Sequence, residues 1–358
     1  VRVVVLPADN TGCGTLRLLW PAQVAAKVRP DWKVEVYEPA SVKVATDDKG
    51  RLIKMQGIPD PWNVDMVVMQ RIGMPPSLQL LQWFAQQGTA VVVDSDDAMW
   101  AIERDNIAFN AWNGGSYHWK WLDKACETAD LVTVTTERLA RRYGRHGRVE
   151  VLPNCVPEAV FSLESRRGEF DPKVTIGWSG FVATHPGDLR AAGTAVHDVV
   201  QATGAAVRVI GDARGAESEW GLPEGTVEQA GPFKLGPDYY QGLTTVDVAA
   251  VPLQDSTFNH AKSWLKALEF SAMGVPVVAS ATEDNRRLAR TVPIILADSE
   301  SEFREGLRLL VEDEVERRER GAAAREAVAA NFTFEQNAEK WASAWERAVA
   351  RKRKLVGV

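Results

Sequence analysis

Short apolar strands alternate with helical stretches along most of the chain, which predicts an α/β protein of two parallel-sheet domains. Three observations carry this. The alternation breaks once, in the polar, irregular stretch from Ser162 to Pro172, and then restarts from a new first strand. The strand segments are short, β-branched and apolar on both faces, as in sheets covered by helices above and below. The length of 358 residues is long for one core and comfortable for two.

The first half offers strands VRVVVLP (1–7), KVEVYEP (33–39), DMVVMQ (65–70), TAVVVDS (89–95), DLVTVTT (130–136) and RVEVLPN (148–154). Helical patterns lie between them, among them 16–28 and 117–128. The second half begins with VTIGWSG (174–180) and a helix over 189–202. It continues with AVRVIGD (206–212), TVEQAGPF (226–233), DVAAVPL (247–253), VPVVAS (275–280) and VPIILA (292–297). Helical patterns at 301–310, 315–330 and 334–350 close the chain. The expected organisation is a first domain over 1–160, a linker over 161–172 and a second domain over 173–333. The last helix, from about 334 to 358, is expected to pack back on the first domain. Two sheets joined by one linker predict a cleft, a preferred place for a small ligand.

Composition narrows the function. Hydrophobic content of 45% and charged content of 25% are ordinary for a globular protein. A net charge of −6 gives no overall pull toward nucleic acid, and no nucleic-acid-binding motif is visible. Cys13, Cys126 and Cys155 form no paired spacing, so neither a disulfide framework nor a zinc site is expected, and a reducing, cytoplasmic compartment fits best. The five histidines show no metal-ligand spacing. No apolar run approaches the ~20 residues needed to span a bilayer, and the opening VRVVVLP predicts a strand in place of a signal peptide. The basic run Arg351 to Lys354 suggests at most a peripheral membrane contact.

The segment SWLKALEFSAMGVPVVAS (263–280) carries the most chemistry. Gly274 and Pro276 predict a helix end followed at once by a buried strand. Lys262, Lys266 and Glu269 stand at i, i+4 and i+7, which predicts one shared helical face. Two lysines so placed repel unless an anion sits between them. A diphosphate would reverse that sign, helped by helix-terminal amides after the loop DSTFNHA. Solvated lysines, with Glu269 paired to Lys266, are the plain alternative.

Several blocks in order resemble glycosyltransferase family four of the GT-B class. They are VTVTTERLARRY with VEVLPNCVP, then VTIGWSG, VRVIGD, AGPF, VDVAAVPL, KALEFSAMGVPVVAS and NFTFEQNAEKWASAWERAV. The resemblance implies two Rossmann-like parallel-sheet domains facing a cleft. It implies a hexosyltransferase moving sugar, with retention, from a nucleoside-diphosphate sugar to a hydroxyl acceptor. Glu269 would receive the ribose hydroxyls, since a carboxylate takes two neighbouring donors. Gly231 and Phe233 would line the base pocket, and the loop carrying Asn259 would meet phosphates and sugar. Gly180 would mark the glycine turn after the opening strand. The sequence departs from the pattern in two places. Ala261 stands where the family carries a second glutamate, and GWSGFVATHPGDL lacks its arginine–lysine pair. The diphosphate is therefore expected to be met by Lys262 and Lys266, with His185 assisting. No metal or other cofactor is expected to be required. An inactive nucleotide- or carbohydrate-binding module, an inverting transferase and a nucleotide-sugar epimerase stay open as alternatives.

In the first half, Gly12 and Gly14 in PADNTGCGTLRLLW bring backbone amides near an anion, and the resemblance turns this loop toward the donor phosphates, with Arg17 helping. A tight strand–helix turn explains the same glycines. Asp94, Asp96 and Asp97, with Trp100, end a strand where open α/β sheets bind ligands. They could hold a cation, orient sugar hydroxyls or cap a helix, and the sugar or acceptor role is the one expected. His118 lies in the aromatic run NAWNGGSYHWKW and is the remaining acceptor candidate. The acceptor itself could be a carbohydrate, a lipid-linked sugar or a protein surface.

Overall fold

The computed structural model describes all residues except 39–40, 48–51, 116, 168–172, 232 and 358. The chain divides into two compact units. Unit 1 holds Val1–Ile102, Ala108–Asn154 and Phe334–Val358, and unit 2 holds Glu103–Ile107 and Cys155–Thr333.

Unit 1 is built on six parallel strands: β1 (Arg2–Leu6), β2 (Lys33–Val36), β5 (Met66–Gln70), β6 (Ala90–Ser95), β7 (Leu131–Val134) and β8 (Val149–Val151). Their order is β2-β1-β5-β6-β7-β8. β5 and β6 are buried along their whole length, which is why their sequences show no polar alternation. A separate antiparallel pair, β3 (Lys43–Thr46) and β4 (Leu52–Gln56), is an element the sequence reading did not name. Each strand is short, and the turn signal between them is a charged run, DDKG, without a flanking alternation long enough to count.

The Phe334–Val356 helix belongs to unit 1. Its Trp341, Trp345, Ala342 and Ala348 pack with Val3, Val5, Leu18 and Val92 in one core. Arg29, just past the Trp20–Val28 helix, reaches both Glu339 and Glu346 at 2.6 Å.

Unit 2 carries β9 (Thr175–Phe181), β10 (Ala206–Asp212), β11 (Val227–Ala230), β12 (Val248–Val251), β13 (Val277–Ser280) and β14 (Ile295–Ala297). All are parallel, in the order β11-β10-β9-β12-β13-β14. Counted within the unit this is the doubly wound order 3-2-1-4-5-6, with its reversal between β9 and β12. Buried Trp178, Val196, Val209, Val248 and Leu307 fill the core on one side.

The expected linker runs along unit 2. The Val156 amide donates to the Phe332 carbonyl, Arg325 to the Phe161 carbonyl, and the Arg166 amide to Thr244 Oγ1. Residues 168–172 of that stretch lie outside the described residues. Gly274 ends the Leu265–Ala272 helix with φ +73°, a conformation that glycine adopts without strain. Among the described residues no helix is long and apolar enough to cross a membrane, and all three cysteines are free.

Candidate functional site

Open α/β sheets bind ligands beyond the carboxyl ends of their strands, where the strand order reverses. In unit 2 that point is marked by Ser179-Gly180-Phe181 at the carboxyl end of β9 and by Leu253-Gln254 after β12. Lys266 reaches this point from the first turn of the Leu265–Ala272 helix. Its Nζ lies 4.7 Å from the Trp178 ring centroid and 3.3 Å from His185 Nε2. Gly180 makes room for it, because a Cβ there would stand 2.9 Å from Lys266 Nζ.

His185 is fixed from behind. Its Nδ1 is 2.9 Å from Asp188 Oδ2, and its ring stands edge-on to Trp178 with centroids 5.5 Å apart. The other Asp188 oxygen accepts from the Gln254 amide at 3.1 Å and from Asn259 Nδ2 at 2.6 Å. With Nδ1 protonated toward Asp188, Nε2 becomes the acceptor that faces the Lys266 ammonium. Burial raises the Asp188 carboxyl above its ordinary value, while the charges of Lys262 and Lys266 pull it back. The Gln254 Oε1 atom is buried and has no hydrogen-bond partner among the described residues.

One turn after Lys266, Glu269 is 3% exposed. Its Oε2 accepts from the Tyr239 hydroxyl at 2.8 Å and its Oε1 from the Tyr240 hydroxyl at 3.5 Å. Burial pushes this carboxyl up to about 7, against the pull of Tyr239, Lys266 and Tyr240. The helix start is anchored by Asp284, whose Oδ2 accepts the Trp264 amide at 2.9 Å and whose Oδ1 pairs with Arg287 at 2.9 Å. Burial lifts Asp284 to about 7 as well.

Two expectations for unit 2 change. Lys262 does not share a helical face with Lys266: it is extended, at φ −65° and ψ 145°, and the helix begins only at Leu265. A short turn at Asn259–Ala261 interrupts the pattern that the i, i+4 spacing suggested. Lys262 Nζ stands over the Phe258 ring at 4.5 Å. Asn259, expected to meet the donor, is buried and spends its amide on Asp188 and the Gln254 carbonyl. Gly231 has φ +91° and lies against Phe233, whose ring also packs on Gly242. Asp188, Gln254, Tyr239, Tyr240 and Asp284 were not singled out from the sequence. The signals were slight: the i, i+3 pair in H-P-G-D and the doubled tyrosine in P-D-Y-Y.

In unit 1 the acidic trio splits. Asp94 is fully buried and takes Arg17 on both oxygens, at 3.2 and 2.8 Å, with the Thr133 hydroxyl at 2.7 Å. Arg17 is itself fully buried, donates to the Leu152 carbonyl and Asn154, and stacks 4.9 Å from the Trp341 ring centroid. Asp94 thus has no surface for a sugar and Arg17 none for a phosphate; the pair is interior scaffolding. Asp96 is held at 2.6 and 2.7 Å by Arg71, which also pairs with Asp97 at 2.8 Å. Burial works to raise the Asp96 carboxyl, but Arg71 outweighs it and holds it below the usual range.

The Gly14 amide donates to Asp9 Oδ1 at 3.1 Å, as does the Thr11 amide at 2.9 Å, so part of the glycine loop is closed on its own aspartate. A Cβ on Gly14 would collide with the Asp9 carbonyl, whereas one on Gly12 would meet nothing. Trp100 packs on Tyr143, with Arg142 over its ring, and His118 stands edge-on to Trp112 at 6.4 Å. No group of three or more metal-ligating side chains converges among the described residues.

Residues 195–343 match the family model described as glycosyl transferase-like. Comparison with curated protein sequences gives no match. Among solved structures, the chain is similar to sucrose-phosphate synthase from Thermosynechococcus elongatus, with 15% identity, a TM-score of 0.68, and 98% of this chain and 99% of that one covered. It is also similar to Anabaena HepE in complex with UDP, at 14% identity and a TM-score of 0.65, covering 96% of this chain and 99% of that one. A glycosyltransferase from Rickettsia africae aligns at 11% identity with a TM-score of 0.64, covering 97% and 98%. The chain has the GT-B fold, and most of the residues that match the glycosyl transferase-like family model lie in unit 2.

Proposed function

We propose that this chain, with its GT-B fold and glycosyl transferase-like second unit, is a glycosyltransferase that moves a sugar from a nucleoside-diphosphate sugar to a hydroxyl acceptor. The observation that carries the reading is the place of Lys266. Its ammonium stands on Trp178 and His185 at the strand-order reversal of unit 2, above a glycine that leaves it room. Lys266 neutralises the departing diphosphate, with Lys262 close enough to add charge at Asp188. His185, oriented by Asp188, holds the Lys266 ammonium in register. Glu269 receives the ribose hydroxyls, and the unpartnered Gln254 oxygen is an acceptor for a ligand hydroxyl. Gly231 and Phe233 edge the base.

Catalysis is then mostly positioning and charge stabilisation of the leaving group. Retention and metal-independent chemistry follow the family-four resemblance, and a cytoplasmic setting follows the unpaired cysteines. On unit 1, Asp96, Asp97 and His118 serve the acceptor, and the buried Asp94 does not. HepE, a structural neighbour, is solved with UDP-glucose, which makes uridine donors the first to try.

The test is a thermal-shift panel of UDP, GDP, dTDP, ADP and their common sugars. A ligand of the folded state at ~100 times its dissociation constant stabilises by about 2.7 kcal/mol. One nucleotide is expected to stand out. Lys266→Ala should weaken the diphosphate far more than the parent nucleoside and abolish most turnover, and Glu269→Ala should weaken both. Silence across the panel would reject the donor site and favour the inactive binding module.

A further inference from the structure

We propose that a pocket beside Trp62 on unit 1 is a saccharide-binding site, distinct from the Lys266 site and independent of how that site is used. The pocket has a volume of about 190 Å³ and is walled by Trp62, Asn63, Asp65, Gln87, Lys352 and Arg353. That is room for several waters, on the scale of one hexose unit.

The loop that presents Trp62 is held in place. Arg2 donates to the carbonyls of Pro59 at 2.6 Å, Asp60 at 2.6 Å and Asn63 at 3.1 Å, while its Nε pairs with Glu35. Asp60, between two prolines, takes φ +44°, a conformation that residues other than glycine seldom adopt. Trp62 nevertheless remains 67% exposed. It meets Trp83 at 4.8 Å and 69°, and Trp83 in turn meets buried Phe84 at 5.0 Å. A large aromatic held out in water on a pinned loop is a preformed binding wall.

The polar wall selects the ligand class. Its charges are already paired: Arg353 with Asp65 at 3.3 Å and Lys352 with Asp130 at 3.3 Å. Paired charges give little to an anion or a cation, yet carboxylate, amide and guanidinium groups supply donors and acceptors in both senses. An exposed indole beside ion-paired and amide hydrogen-bonding groups fits a ring with C–H faces and a hydroxyl rim. That chemistry is a neutral pyranoside, free or as the end of a longer glycan.

The experiment is a titration of protein carrying ¹⁵N-labelled tryptophan with the methyl glycosides of glucose, galactose, mannose and N-acetylglucosamine, to about 50 mM. So small a ligand is expected to bind with a Kd on the order of millimolar. Trp62→Phe assigns the Trp62 indole signal. At least one glycoside should move that signal saturably, and Gln87→Ala should weaken binding several-fold with the spectrum otherwise unchanged. A Trp62 signal that no glycoside moves overturns the proposal. So does one that moves with anionic lipid vesicles while every glycoside is silent, which would make the face a membrane contact. The Trp178 indole reports the Lys266 site in the same spectra. Nucleotides that leave Trp178 unmoved would count against the donor site while the Trp62 result stands by itself.

Discussion

Glu269 shows how a single buried carboxyl sets a pH dependence. Its ordinary value of 4.5 applies to the unfolded chain, and burial raises the folded value to about 7. Between those limits the folded protein holds a proton that the unfolded chain has lost. The stability this adds is complete below about 4.5 and disappears as the pH rises through about 7. Asp284, lifted from 3.8 to about 7, acts with the same sign. Denaturation curves at pH 5 and pH 8 should therefore show the wild type losing stability toward pH 8, and Glu269→Gln losing less. The difference has an upper bound of roughly 3 kcal/mol; equal slopes in the two proteins would rule out a proton on Glu269.

Lys266 and Glu269 stand out in the sequence as candidates because helical spacing is local. The sequence also pointed Asp94 and Arg17 at a ligand, because strand-end aspartates and helix-start arginines look alike whether they face solvent or each other. Only the pairing across 77 residues, with Thr133 brought in from β7 and Leu152 from just after β8, shows that both are interior. Asp188 escaped notice for the same reason. Its partners Gln254 and Asn259 stand 66 and 71 residues further along the chain.

At the scale of elements, the junction of β9 with the Leu265–Ala272 helix is the sensitive one. Gly180 has φ +134°, and a methyl there would press on both Lys266 Nζ and the Trp178 ring at 2.9 Å. Gly180→Ala is expected to displace the ammonium by the order of an ångström and to cut turnover roughly 10²-fold. Turnover within a factor of three of wild type in a folded Gly180→Ala protein would detach Lys266 from the chemistry. The helix boundaries themselves were legible in part. Gly274 and Pro276 ended the helix as their backbone preferences demand. Its start was misplaced by one turn, because Lys262 continues the apolar and basic spacing yet lies in extended backbone, with the Trp264 amide bound to Asp284 instead of to the preceding turn. The β3–β4 pair, KVAT against LIKMQ, was not legible in the sequence.

For the whole molecule, the Phe334–Val356 helix decides whether unit 1 has a complete core. Trp341 is 1% exposed, packs among residues from β1, β5 and β6, and covers the buried Arg17 guanidinium. Trp341→Ala should cost about 3–5 kcal/mol, read as an early unfolding transition of unit 1 in urea. A change under about 1 kcal/mol would mean that the helix is dispensable there.

The sequence by itself determined the two-sheet α/β class, nearly every sheet strand and the helix that carries Lys266 and Glu269. Those follow from periodicity, β-branching and glycine–proline punctuation, all properties of a few neighbouring residues. Tertiary structure decided the rest: the strand orders that put the reversal of unit 2 between β9 and β12, the His185–Asp188–Gln254 support under Lys266, and the interior fate of Arg17 and Asp94. Each depends on which distant segments pack together, and packing across tens or hundreds of residues leaves no local period to read.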